Sequence, residues 1–161
     1  RRFVSNRGKA PYLTAMIAQT IQLALAPVFV LVAIGNIMNL LSTRLGRIVD
    51  RSRALQVRHG ETVGVDHDMV VREMRVVDLR IKLVGRALRL LVTSGLATGV
   101  TVAVLFVEEL LSADLQRVAA TTFILAVGLM MWALVLFLRE TQAASAALRI
   151  PDEYLEPDRR I

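Results

Sequence analysis

The run Arg44-Leu45-Gly46-Arg47-Ile48-Val49-Asp50-Arg51-Ser52-Arg53 is the strongest local feature of this sequence. On a helix, Arg44, Arg47 and Arg51 fall on one stripe, and Asp50 lies three residues from both Arg47 and Arg53. A guanidinium is a planar fork of donors that grips phosphate or carboxylate better than an ammonium does. Arg44, Arg47, Arg51 and Arg53 are therefore candidate contacts for anionic lipid headgroups, an anionic ligand or an acidic partner helix. The plainer reading is an interfacial anchor with internal charge balance, each exposed pair contributing about 0.2–0.5 kcal/mol.

A second set is uncharged. Gln22, Asn36 and Asn39, followed by Thr43, share a helical stripe with Arg47 and Asp50. Such a stripe should not face lipid: it fits interhelical hydrogen bonds, or the wall of a water-filled path at the centre of an oligomer. No charged residue at mid-span offers a proton relay or voltage sensor, which disfavours active transport more than a passive pore. A third set, Gly95-Leu96-Ala97-Thr98-Gly99 with Ser94 and Thr101, is a small-xxx-small face on which two backbones can approach closely. Ser94, Gly95 and Gly99 are thus candidate helix-packing positions.

Constellations for catalysis are nearly empty. His59 and His67 lie near Glu61, Asp66 and Asp68, but their spacing matches no metal-ligand pattern, and acidic turns are common. Glu108 and Glu109 are adjacent, hence on different helix faces, and read as solvated. With no cysteine there is no disulfide, thiolate nucleophile or sulfur-ligated metal. Nucleophile–base pairs, phosphate-cradling glycine loops and cofactor fingerprints are also missing, so neither an enzyme nor a cofactor is expected.

The elements that position these residues follow from segregation of charge. The chain has 161 residues, 55% of them hydrophobic, with a mean hydropathy of +0.53. Its 20 basic and 14 acidic residues avoid three stretches, 10–43, 90–107 and 118–138. That pattern excludes a disordered chain and disfavours an ordinary soluble enzyme. It predicts an all-α protein with spans over Ile17–Leu41, Leu90–Val107 and Val118–Leu138, the first long enough to cross about 30 Å of hydrocarbon and the second near the short end of the range for a span. Pro27 predicts a kink in the first span. A cleavable leader fits poorly, because Pro27 directly follows Ala24-Leu25-Ala26, the only cleavage-like site. The chain opens on Arg1 rather than Met, so it is expected to be processed or part of something longer.

All but two of the basic residues are Arg, the net charge is +6 and the isoelectric point is near 10.9. In a soluble protein that balance would point to nucleic acid. Here the basic residues cluster beside apolar segments, where they set orientation and meet anionic lipid, so no nucleic-acid partner is expected. Glu108–Arg117 holds one Arg and three acids, whereas Arg72, Arg75, Arg80, Lys82, Arg86 and Arg89 precede the second span. The latter side is predicted to be cytoplasmic, with the N-terminus outside and the C-terminus inside. Arg1, Arg2, Arg7 and Lys9 run against that orientation.

Between the first two spans, Val70, Met74, Val77, Ile81, Val84, Leu88 and Leu91 recur at alternating steps of four and three, an apolar heptad seam. Leu41, Leu45, Ile48 and Leu55 supply a matching face, with Ser52 at the missing position. The first two helices are therefore expected to extend into a cytoplasmic antiparallel hairpin over residues 42–89, turning at His59–Asp68. After Leu138 the helix is predicted to continue toward Arg149 and stop at Pro151. The organisation is a tail over 1–16, a three-span membrane domain over 17–142 and a tail over 143–161, the tails being held by partners.

Ile21-Gln22, Ala26-Pro27-Val28-Phe29, Gly35, Asn39, and Arg44 with Arg47-Ile48-Val49-Asp50-Arg51 and Arg53 resemble the bacterial membrane family known as domain of unknown function 2721. The resemblance covers residues 17–142, and the Arg-rich motif is its most specific part. It implies a small three-span protein of the bacterial inner membrane and supplies no catalytic residue. The function expected is that of a non-enzymatic accessory or structural subunit, built into a larger membrane complex or a homo-oligomer. The alternative is a small oligomeric ion channel or transporter lined by Gln22, Asn36 and Asn39.

Overall fold

The computed structural model describes residues 9–111 and 114–147, and everything described is helix apart from short turns. Helix α1 runs Lys9–Glu61, α2 Val65–Leu111 and α3 Gln116–Ala147. All three are long and apolar enough to cross a membrane. The all-α, three-span architecture is thus present. Helix α1 begins inside the segment predicted as a tail, and it continues without interruption through the buried Pro27. Residues 1–8 and 148–161, on which the remaining tail expectations fall, lie outside the described residues.

Burial explains why these helices form. Along α1 the buried positions Pro27, Ile34, Leu41, Ile48 and Leu55 recur every seven residues. Along α2, Val70, Val77, Val84, Leu91 and Thr98 do the same, with Ala87, Ser94 and Thr101 forming the companion row. Along α3 the series is Ala119, Ala126, Ala133 and Glu140. A strict seven-residue repeat keeps one seam of each helix facing its neighbours, as in a coiled coil.

The chain divides into two compact units. In the first, formed by α1 up to Met38, α2 from Leu91 and α3 up to Met130, small residues bring helices together. Ser94 Oγ donates a 2.6 Å hydrogen bond to the Ala126 carbonyl, and Thr101 Oγ1 lies 3.0 Å from Thr122 Oγ1. Thr98 and Thr101 also bond back to the carbonyls of Ser94 and Ala97, so their polarity is satisfied inside the helix.

The second unit comprises Asn39–Leu90 and α3 from Met131. Its α1–α2 portion is an antiparallel hairpin. From the turn outward, the ring centroids of His59 and His67 are 4.3 Å apart, and then Arg51 pairs with Glu73. The turn is shorter than predicted, because α1 runs on to Glu61 and α2 starts at Val65, placing both histidines within helices. Gly64, with φ at +68°, takes the left-handed conformation that closes the turn, and its carbonyl accepts from Asp68 N. Arg58 and His59 in the last turn of α1, and Asp66 and Asp68 in the first turn of α2, complement the helix dipoles.

Candidate functional site

The chemistry of the second unit centres on Glu140. It occupies the fourth position of the α3 seam, where the preceding three are alanines, and its side chain has no exposed surface. Arg80 from α2 reaches Oε1 through Nε at 3.0 Å and Nη2 at 2.9 Å. Arg44 from α1 places Nη2 3.3 Å from Oε2, in ion-pair contact without hydrogen-bond geometry. Three helices thus meet on one carboxylate. A buried charge is tolerable only when paired in this way.

Arg44 is further held by α3. Its Nη1 lies 3.4 Å from Thr141 Oγ1, and its guanidinium sits 5.1 Å from the centre of the Phe137 ring. Thr141 is itself tied to the Phe137 carbonyl at 3.0 Å. Farther along the hairpin, Arg51 donates to Glu73 Oε1 from Nε at 2.7 Å and lies within 2.6 Å through Nη2, both side chains being well exposed.

These pairings frame a cleft of about 190 Å³ lined by Arg44, Arg47, Arg51 and Arg80, with Ile48 and Val77 as its apolar floor. Four guanidinium groups face two carboxylates, Glu140 and Glu73. Arg47 is exposed and makes no ion pair among the described residues. The arginine stripe is therefore assembled as its spacing predicts, but Arg53 is exposed and stands apart from the cleft. Asp50 does not provide the expected charge balance: it is exposed and forms no ion pair among the described residues, because water competes with so weak a pair on one helix. The carboxylates come from α2 and α3 instead.

The other candidates are dispersed. Gln22, Asn36 and Asn39 are all exposed. Ser94 is fully buried against α3. A Cβ on Gly95 would sit 4.0 Å from Ile34 Cγ2, whereas Gly99 is exposed with open space beside it. Among the described residues, no group of three or more His, Asp or Glu side chains is placed to hold a metal ion.

Sequence reasoning missed Glu140, Glu73, Phe137 and Thr141, and it treated Arg80 only as an orientation signal. The seven-residue spacing from Ala119 through Ala126 and Ala133 puts Glu140 in a core position, but alanines inside an apolar span do not mark that row in the sequence. The family model described as Protein of unknown function (DUF2721) matches residues 24–150, which include every residue of the cleft and Glu140 but not Gln22. No curated protein and no solved structure matches the chain.

Proposed function

The chain belongs to the DUF2721 family, and from that premise we propose that it is a non-enzymatic integral membrane protein serving as a structural or accessory subunit of a membrane complex or homo-oligomer. The observation that carries this reading is the exposure of Gln22, Asn36 and Asn39 in the uncharged stretch of α1. Asn36 precedes Arg44 by eight residues, about 12 Å of helix rise. Facing lipid, an amide gives up hydrogen bonds to water and finds no replacement, so a partner helix is its favourable neighbour. Each such bond contributes about 0.6 kcal/mol on average, which makes a row of amides more persuasive than one. The open side of Gly99 offers a second place where another backbone can approach. The distribution of Arg and Lys supports a cytoplasmic hairpin and C-terminus, in a bacterial inner membrane.

Because the sequence has no cysteine, Asn36→Cys and Asn39→Cys each introduce a unique thiol. Oxidative crosslinking in native membranes is expected to give an adduct with a second copy or another membrane protein. A chain that gives no adduct at either position and stays monomeric in mild detergent overturns the reading.

The same exposed amides favour a second reading, a small oligomeric ion channel or transporter whose water-filled path they line. Liposome flux separates the two. Flux in the parent protein that is lost in Asn36→Leu and Asn39→Leu supports the pore; zero flux in the parent retires it.

A further inference from the structure

We propose that the cleft lined by Arg44, Arg47, Arg51 and Arg80 binds a phosphate group, carried either by an anionic phospholipid headgroup or by a soluble phosphate compound. Four guanidinium groups line the cleft and two carboxylates pair with three of them, so the cleft keeps an excess of positive charge. Glu140 and Glu73 also act as props. Arg80 and Arg51 each commit Nε and Nη2 to a carboxylate, which fixes the plane of the fork and leaves Nη1 without an acceptor among the described residues. Arg47 makes no ion pair among the described residues.

The remaining donors come from two helices and so from more than one direction. A tetrahedral oxyanion accepts in that manner, whereas a carboxylate accepts mainly in its own plane. The cleft, of about 190 Å³, has room for a group the size of phosphate. The floor of Ile48 and Val77, both buried, lowers the local dielectric and strengthens attraction above it. Position fits as well: Arg44 is the first charged residue after the uncharged stretch 10–43, where an apolar segment gives way to the headgroup region.

The test uses the full chain in mild detergent with two probes, inorganic phosphate and short-chain phosphatidylglycerol, titrated by calorimetry. Arg47→Gln removes a cleft donor without breaking an ion pair, and Arg51→Gln removes a second; Arg53→Gln is the control outside the cleft. Saturable binding of at least one probe is expected, weakened by about tenfold or more in Arg47→Gln and Arg51→Gln and within about twofold of the parent in Arg53→Gln. Phosphatidylglycerol binding that inorganic phosphate does not displace assigns the site to lipid; displacement assigns it to the phosphate group itself. Saturable binding of neither probe, or an equal loss in all three variants, overturns the proposal.

Discussion

Arg80 spends both Nε and Nη2 on a single oxygen of Glu140, at 3.0 and 2.9 Å, and that carboxylate has no exposed surface. Arg80 and Arg44 retain 23% and 28% of their side-chain exposure. Loss of either partner therefore has unequal consequences. An arginine deprived of Glu140 can turn toward water, but Glu140 deprived of Arg80 remains buried with only the longer contact to Arg44.

The ranking of substitutions follows from that asymmetry. Arg80→Leu is expected to destabilise the protein by about 3–5 kcal/mol, the range for breaking a buried pair. Arg44→Leu and Glu140→Gln should each cost less, since the first leaves the better hydrogen bonds intact and the second removes the buried charge itself. Unfolding in detergent, followed by helical circular dichroism, measures the order. Arg44→Leu proving costlier than Arg80→Leu would contradict it.

The pair Arg51 and Glu73 should behave differently despite its shorter contacts. Their side chains are 49% and 41% exposed, so water and salt compete for them. A double-mutant cycle with Arg51→Ala and Glu73→Ala is expected to give a coupling of about 0.2–1 kcal/mol that shrinks with added salt. A coupling as large as the Arg80–Glu140 effect would refute the reliance on exposure.

The hairpin was readable because large apolar residues stand out against charged neighbours. Leu41, Ile48 and Leu55 on α1, and Val70, Val77 and Val84 on α2, are buried where their spacing predicts. The α3 seam was not readable in that way. Ala119, Ala126 and Ala133 are less apolar than the Leu and Met around them, so the core row carries no hydrophobic contrast inside a span. Glu140, just beyond that span, lies in a stretch whose pattern predicts only that the helix continues. Pairing was similarly misread when it was sought within one helix: Asp50 is nearest to Arg47 and Arg53 in sequence, yet the arginine partners arrive from other helices.

Ser94 tests the small-residue packing between α2 and α3. Its hydroxyl is fully buried and donates to the Ala126 carbonyl across the helix pair. Ser94→Ala is expected to cost about 0.6 kcal/mol and no more than about 1.7 kcal/mol, the average and the maximum for interhelical hydrogen bonds in a membrane protein. Ser94→Leu should cost more, because it adds volume where neither helix can yield. Equal stability of the two variants in detergent unfolding would mean that this contact is loose.

Gly60 and Gly64 are close in sequence but stand in different backbones. Gly60 lies within α1, and Gly64 holds φ at +68° in the turn; a Cβ at either would meet nothing within 4 Å. Sterics therefore do not distinguish them, and conformation must. Alanine at Gly64 has to occupy the left-handed region, at a cost of about 1–2 kcal/mol. Alanine at Gly60 removes helix-opposing backbone freedom and should stabilise by about 0.5–1 kcal/mol. Opposite shifts in the unfolding midpoint of Gly64→Ala and Gly60→Ala are expected. Shifts of the same sign would place the turn elsewhere than at residues 62–64.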